Sequence, residues 1–343
     1  MKRLNKKFLI GALLLLTAGF SLCIGGCAGE VPAQTASGIG MGTYVNQTVY
    51  TRDGTLTGEV EELLKYLEED ILSWRIEGSE IARINEAAGT ECSISNDLKQ
   101  DLISLLEVSE RSRGAFDCTL GTLIRLWNMD AWSRMEEEEF IPPTKEEIAE
   151  ALTDTGYDKV KITDGTIYLP TGLQLDLGAA GKGIACDRVA AFLADRQVSG
   201  AVVSVGGSVV TYGAKPDGSP WRVAVVDPLN PSSRLGILSL TGEWYISTSG
   251  DYERFVEADG IRYHHILDPA TGYPASSGLA GVTIVCHSGL LSDALSTACF
   301  VLGVEDGLAL AESYGAEALF VTADGELYMT PGMKQIFSPV ATP

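Results

Sequence analysis

Residues Leu175 to Arg188, LDLGAAGKGIACDR, change character midway. The apolar run from Leu173 to Leu177 reads as the end of a strand. Gly178, Gly181 and Gly183 follow, and Ile184, Val189, Phe192 and Leu193 then recur at helical spacing. A strand, a glycine-rich turn and a helix start present backbone N–H groups to an anion. Asp176 and Lys182 bracket the turn with opposite charges. The glycines run G-x-x-G-x-G, which is neither the dinucleotide fingerprint nor a P-loop. A competing reading is a tight turn whose glycines supply positive φ.

The 343-residue chain is 45% apolar and 8% aromatic, so it can bury a substantial core. It carries 46 acids against 25 bases, a net charge of −21, which excludes the basic footprint of a nucleic-acid partner. An anionic ligand therefore needs a local cation.

The N-terminus reads as a targeting segment. Lys2, Arg3, Lys6 and Lys7 precede an almost wholly apolar stretch, Phe8 to Ile24, and no acid occurs before Glu30. Ile24-Gly25-Gly26-Cys27 resembles a bacterial lipobox, so residues 1–26 are expected to be a lipoprotein signal peptide and Cys27 the lipidated residue. An uncleaved anchor helix is the alternative. Cleavage would leave a net charge of −25, on a chain held at the extracytoplasmic face of the bacterial cell membrane. Residues 27–40, small and polar, read as a flexible tether. Cys92, Cys118, Cys186, Cys286 and Cys299 lack C-x-x-C spacing and read as buried small hydrophobes rather than a disulfide framework.

Met41 to Tyr50 alternates and reads as a first strand. Helices are expected over 59–72, 97–112, 291–302 and 305–314, with Thr144 and Glu147 at capping-box spacing. From 159 onward closely spaced strands dominate, among them 173–177, 201–205, 208–212, 244–247, 262–267 and 280–286. Such spacing implies hairpins, hence an α+β fold: a mixed, largely antiparallel sheet flanked by helices, one domain over 41–340 with possible sublobes.

Two further stretches carry polar chemistry. In His265-Ile266-Leu267-Asp268-Pro269-Ala270-Thr271-Gly272 a strand runs into a rigid turn, and only one of His264 and His265 can face a given site. In Ser292-Asp293-Ala294-Leu295-Ser296-Thr297, Asp293 and Thr297 share a helix face. A carboxylate with a hydroxyl suits a hard cation such as Mg²⁺, and an acid complementing the helix dipole is the plainer alternative.

Taken in order, these stretches with Gly206-Gly207 and Thr248-Ser249-Gly250-Asp251-Tyr252-Glu253-Arg254 resemble the ApbE family of FAD:protein FMN transferases. Upstream, Met41-Gly42-Thr43, Ser73-Trp74-Arg75 with Ser79-Glu80, and Gly114-Ala115-Phe116-Asp117 look like that family's N-terminal motifs. The resemblance implies Mg²⁺-dependent cleavage of the FAD diphosphate, attachment of FMN to a threonine of another protein, and release of AMP. It implies FAD contacts at Met41, Trp74, Ala115, Phe116, Asp117, Asp176, Lys182, His265 and Ile266. It implies metal ligation by Asp293, Thr297 and the carbonyl of Ala179, and proton handling by His265. Trp74 stands where tyrosine is common, Gly181 where alanine is usual, and Ser208 where asparagine is frequent. The family's acceptor motif, Asp-x-x-Ser/Thr-Gly/Ala-Thr, does not occur in this chain; Asp268-Pro-Ala-Thr271-Gly272 ends in Tyr273. Action in trans is therefore expected. A lipid-anchored FAD-binding protein without chemistry and an FAD pyrophosphatase releasing FMN and AMP are the alternatives.

Overall fold

The run Leu279–Cys286 is buried at all eight positions, which requires a central strand covered on both faces. In the computed structural model, which describes residues 31–134 and 140–340, it lies in an eight-stranded sheet. The strands are β1 (Ala33–Gly40), β2 (Thr43–Tyr50), β3 (Gly200–Val205), β4 (Ser208–Gly213), β5 (Trp244–Gly250), β6 (Leu279–Cys286), β7 (Glu317–Thr322) and β8 (Leu327–Met329). Their order across the sheet is their order along the chain, and every neighbouring pair is antiparallel. The sheet is thus a meander, and everything else is inserted into its connections. Alternate connections of a meander emerge at the same end. Met41-Gly42 between β1 and β2, Gly206-Gly207 between β3 and β4, and the excursion after β5 all leave from one end.

Side-chain alternation divides the core. Tyr245, Val282, Ile284, Ala318 and Phe320 face the layer of helices, while Ile246, Val285 and Leu319 face a three-stranded sheet of Trp221–Asp227, Asn230–Leu240 and Phe337–Pro339. The helical layer holds α1 (Leu56–Tyr66), α2 (Asn96–Arg111), α3 (Gly181–Asp195) and α4 (Gly289–Leu302). A smaller apolar cluster around Leu123, Trp127, Phe140 and Ile148 supports the excursion loops. The capping box at Thr144 and Glu147 forms and starts a helix at Lys145.

Four expectations require correction. Ala33–Gly40 is not tether but strand, paired along its whole length with Thr43–Tyr50. Met41 and Gly42 form its two-residue hairpin turn, both with positive φ, 55° and 67°. Hairpins of this type favour Asn-Gly, so Met-Gly hid the turn. The expected 59–72 helix is α1 followed by a π-helical stretch, Leu67–Leu72. Residues 173–177 make only an isolated bridge, Gln174 with Leu120, and the 262–267 strand ends at His264. The signal segment with Cys27, and most of the acidic run 135–140, lie outside the described residues. Cys118, Cys186, Cys286 and Cys299 are buried free thiols, and Cys92 is partly buried.

Candidate active site

The glycines of the opening stretch do not supply positive φ; none of Gly178, Gly181 and Gly183 has it. Gly183 is there for close approach. A Cβ on it would lie 2.0 Å from the Gly289 carbonyl oxygen, and a Cβ on Gly289 would lie 2.2 Å from the Gly183 oxygen. Only glycine at both positions lets α3 and α4 touch backbone to backbone. That contact brings Asp293 onto the start of α3, where the Gly183 N–H donates to its Oδ2 at 3.0 Å. Lys182 Nζ lies 3.5 Å from the same oxygen and 3.5 Å from the Gly178 carbonyl.

The turn does not offer a row of free amides to an anion. The Gly178 N–H donates to Asp176 Oδ1, those of Ala180 and Gly181 to the Leu177 carbonyl, and that of Gly183 to Asp293. Gly178, Ala179, Gly181 and Lys182 of the turn lie on the cavity wall.

Asp293 is buried and also accepts from Ser208 Oγ at 3.2 Å. Ser208 in turn accepts from Ser247, which shares a 2.8 Å hydrogen bond with Ser292. One turn along α4, Thr297 Oγ1 lies 3.2 Å from Ser249 Oγ, itself 2.7 Å from Ser296 Oγ. Hydroxyl groups therefore zip α4 to β4 and β5 and fix the rotamers of its polar face. Ser208, Ser247 and Ser249 were not named as candidates; no spacing in the sequence shows that serines on separate strands meet one helix.

Asp176 is buried and takes hydrogen bonds from Trp74 Nε1 at 2.5 Å and the Gly178 N–H at 2.7 Å. Burial pushes its carboxyl above the ordinary range, against these two donors and Arg75. The guanidinium groups of Arg75 and Arg125 lie 4.2 and 4.4 Å from the Trp74 ring centroid. Asp130 bridges Arg75 at 2.5 Å and Arg254 at 2.6 Å. Asp117 spends its oxygens on its own loop: Thr119 N–H and Oγ1 donate to one, the Tyr157 N–H to the other.

The two histidines face differently. His264 is buried, with Nε2 3.0 Å from the Ala275 carbonyl and Nδ1 accepting from the Ile266 N–H at 3.3 Å. His265 lines the cavity, and its Nδ1 has no hydrogen-bond partner among the described residues. Burial, then the Arg254 cation, pushes its ring down to about 3, so it is neutral at neutral pH. Glu253 also reaches the cavity, and burial raises its carboxyl although Lys182 and Arg254 pull it down. Nothing in the spacing of Thr248 to Arg254 marks Glu253 out from its neighbours.

One cavity of about 960 Å³ opens at the end of the sheet where Met41-Gly42, Gly207 and the excursion after β5 emerge. Met41, Trp74, Ala115, Phe116, Asp117, Asp176, Ala179, Lys182, His265, Ile266, Asp293 and Thr297 are all on its wall. Its volume is at the upper end of the roughly 300–1,000 Å³ range of small-molecule sites, room for a dinucleotide-sized ligand. Its wall carries aromatic and apolar groups (Trp74, Phe116, Ile266) as well as the polar Lys182, Asp293 and Thr297. Among the described residues no group of three or more His, Cys, Asp or Glu could hold a metal. A cation here would rest on one carboxylate and neutral oxygens, a hard donor set with positions left for ligand oxygens.

Comparison with known proteins bears on the whole chain. The sequence model of the ApbE family matches residues 41–320. An FAD:protein FMN transferase of Treponema pallidum (strain Nichols) is 31% identical, over 94% of this chain and 93% of that one. The crystal structure of the ApbE protein from Thermotoga maritima superposes with a TM-score of 0.81 at 31% identity, covering 89% of this chain and 99% of that one. The apo form of the Pseudomonas stutzeri flavinyl transferase ApbE gives a TM-score of 0.78 at 34% identity, covering 92% and 99%. The chain belongs to the ApbE family.

Proposed function

We propose that the chain transfers the FMN moiety of FAD to a threonine hydroxyl of a separate acceptor protein, with Mg²⁺ bound and AMP released. The observation that carries this reading is the meeting of Lys182, Asp293, Thr297 and His265 on the wall of one dinucleotide-sized cavity. The relatives named FAD:protein FMN transferase support it.

The oxygen donors suit Mg²⁺: Asp293, Thr297 and the Ala179 carbonyl would hold it. When bound, it neutralises charge on the diphosphate as the P–O bond breaks. Lys182 adds a second positive charge at the same place. Trp74, fixed by its N–H bond to Asp176, offers a flat ring to a ring system. The acceptor oxygen bonds to the FMN-side phosphorus, and the bond from that phosphorus to the bridging oxygen breaks, so AMP leaves with the bridging oxygen. The hydroxyl proton passes to the His265 ring, which burial keeps neutral.

The acceptor carries the Asp-x-x-Ser/Thr-Gly/Ala-Thr motif that this chain lacks. Thr271, the nearest approach to it, donates its hydroxyl to Asp268 at 3.0 Å within a turn. The chain works at the extracytoplasmic face of the membrane, anchored through Cys27. Incubation with FAD, Mg²⁺ and a tagged acceptor bearing the motif tests the reading. Flavin fluorescence on the denatured acceptor with matching AMP supports it. Free FMN with AMP supports hydrolysis instead, and tight FAD binding with neither product supports a carrier.

A further inference from the structure

The most exposed large apolar side chains among the described residues include Ile39 at 82% and Tyr44 at 75%. They are direct cross-strand partners, one pair away from the Met41-Gly42 turn. Along that outer face Ser37 faces Asn46, joined by a 2.8 Å hydrogen bond, Thr35 faces Thr48, and Ala33 faces Tyr50 at the far end. Two polar pairs therefore separate the exposed Ile39 and Tyr44 at the tip from Tyr50, which packs against Trp221. Met41, Gly42 and Thr43, the residues between Ile39 and Tyr44 apart from buried Gly40, form part of the cavity wall. The patch adjoins the cavity wall along the chain, through Met41 and Thr43.

Two more features mark this tip. β1 is the terminal strand, and among the described residues its only strand partner is β2, so its outer edge offers unpaired backbone groups. Met41 holds a φ of 55°, unusual for an unbranched residue without a polar side chain, and its N–H donates to Glu68 Oε2 at 2.6 Å. The tip is fixed where mobility is the usual state of a hairpin end.

We propose that the tip of the β1–β2 hairpin, Ile39 and Tyr44 with the free edge of β1, is the docking surface for the acceptor protein. The acceptor lays an extended segment beside β1 and covers Ile39 and Tyr44 with apolar side chains. This rests on the transferase reading, because a macromolecule that receives a group inside the cavity must seat its backbone at the rim. Ile39 is two residues from Met41, about 7 Å along an extended chain. An acceptor held at Ile39 therefore delivers a hydroxyl two residues further along to the cavity mouth. Main-chain pairing supplies affinity and the apolar pair supplies register, as in other strand-addition interfaces.

The test compares the full chain with the double variant Ile39→Ser/Tyr44→Ser, neither residue lining the cavity. The probe is a soluble carrier protein bearing a surface segment with the acceptor motif. The proposal expects the acceptor KM to rise roughly tenfold or more, with kcat at saturating acceptor and FAD affinity unchanged. It also expects amides of β1 to gain hydrogen-exchange protection when acceptor is added. An unchanged KM with no added protection overturns it. So does loss of binding to phosphatidylglycerol vesicles, or loss of a self-associated state, with KM unaffected, since these assign the patch to a membrane or a second copy. A parent chain that modifies no acceptor overturns the transferase reading itself, an outcome distinct from a working parent and an equally working variant.

Discussion

Replacing Gly183 with alanine tests the claim that a glycine–glycine contact builds the charged end of the site. The new Cβ would meet the Gly289 oxygen at 2.0 Å, its carbonyl carbon at 2.6 Å and Asp293 Cβ at 2.7 Å. Two of these atoms are backbone, so no side-chain rotation relieves the clash and the helices must separate by about 1 Å or more. Overpacking of this kind costs about 1–3 kcal/mol. The same separation breaks the 3.0 Å bond from the Gly183 N–H to Asp293, a hydrogen bond to a charged group contributing about 1.5–3 kcal/mol. Alanine returns at most about 1 kcal/mol through helix propensity. The balance is a loss of about 2–5 kcal/mol, and at about 2 °C per kcal/mol for a large domain the Tm falls by roughly 4–10 °C. Because Asp293 moves with α4, transfer should fall more than a hundredfold even at a temperature where the variant is folded. Differential scanning calorimetry and initial-rate assays measure both. A G183A chain with parental Tm and parental rate would refute the packing argument. A lower Tm with a parental rate would refute the link from packing to Asp293.

Asp293→Asn keeps the volume and one acceptor oxygen, so the fold should survive while transfer drops by about a thousandfold. The rate at increasing Mg²⁺ checks this, and saturation at the parental concentration would count against Asp293 as a ligand. His265→Gln should lower transfer about a hundredfold or more with FAD affinity within threefold, read by fluorescence titration. His265 is lowered in the folded chain, so the unfolded chain binds more protons below the ordinary histidine range. Its contribution to stability is full above about pH 6.5 and is lost as pH falls toward about 3. The Tm of His265→Gln should therefore decline less steeply than the parent's over that window. Trp74→Phe retains a ring but removes the donor to buried Asp176, and FAD affinity should weaken by about tenfold, measured by equilibrium dialysis.

The α+β class and the antiparallel sheet were legible because β3 to β7 alternate or run wholly apolar between clear turns. Every candidate site residue reached the cavity wall: Met41, His265 and Ile266 come from connections at one end of the meander, and Lys182, Asp293 and Thr297 come from the two helices packed on its face. What stayed hidden depended on tertiary partners. The β1 strand looked like a tether because its residues are small and polar, and they become a strand only through pairing with β2. The serines that hold Asp293 and Thr297 come from β4 and β5, far from α4 in sequence. Gly183 read as a turn glycine, because its true constraint is Gly289, more than a hundred residues away.

The most direct measurement counts AMP released and flavin covalently bound to acceptor in the same reaction, with the full chain, FAD and Mg²⁺. The account predicts equal amounts of the two, and neither from the Asp293→Ala chain. AMP formed in full without acceptor flavin, or undiminished transfer by Asp293→Ala, would contradict it.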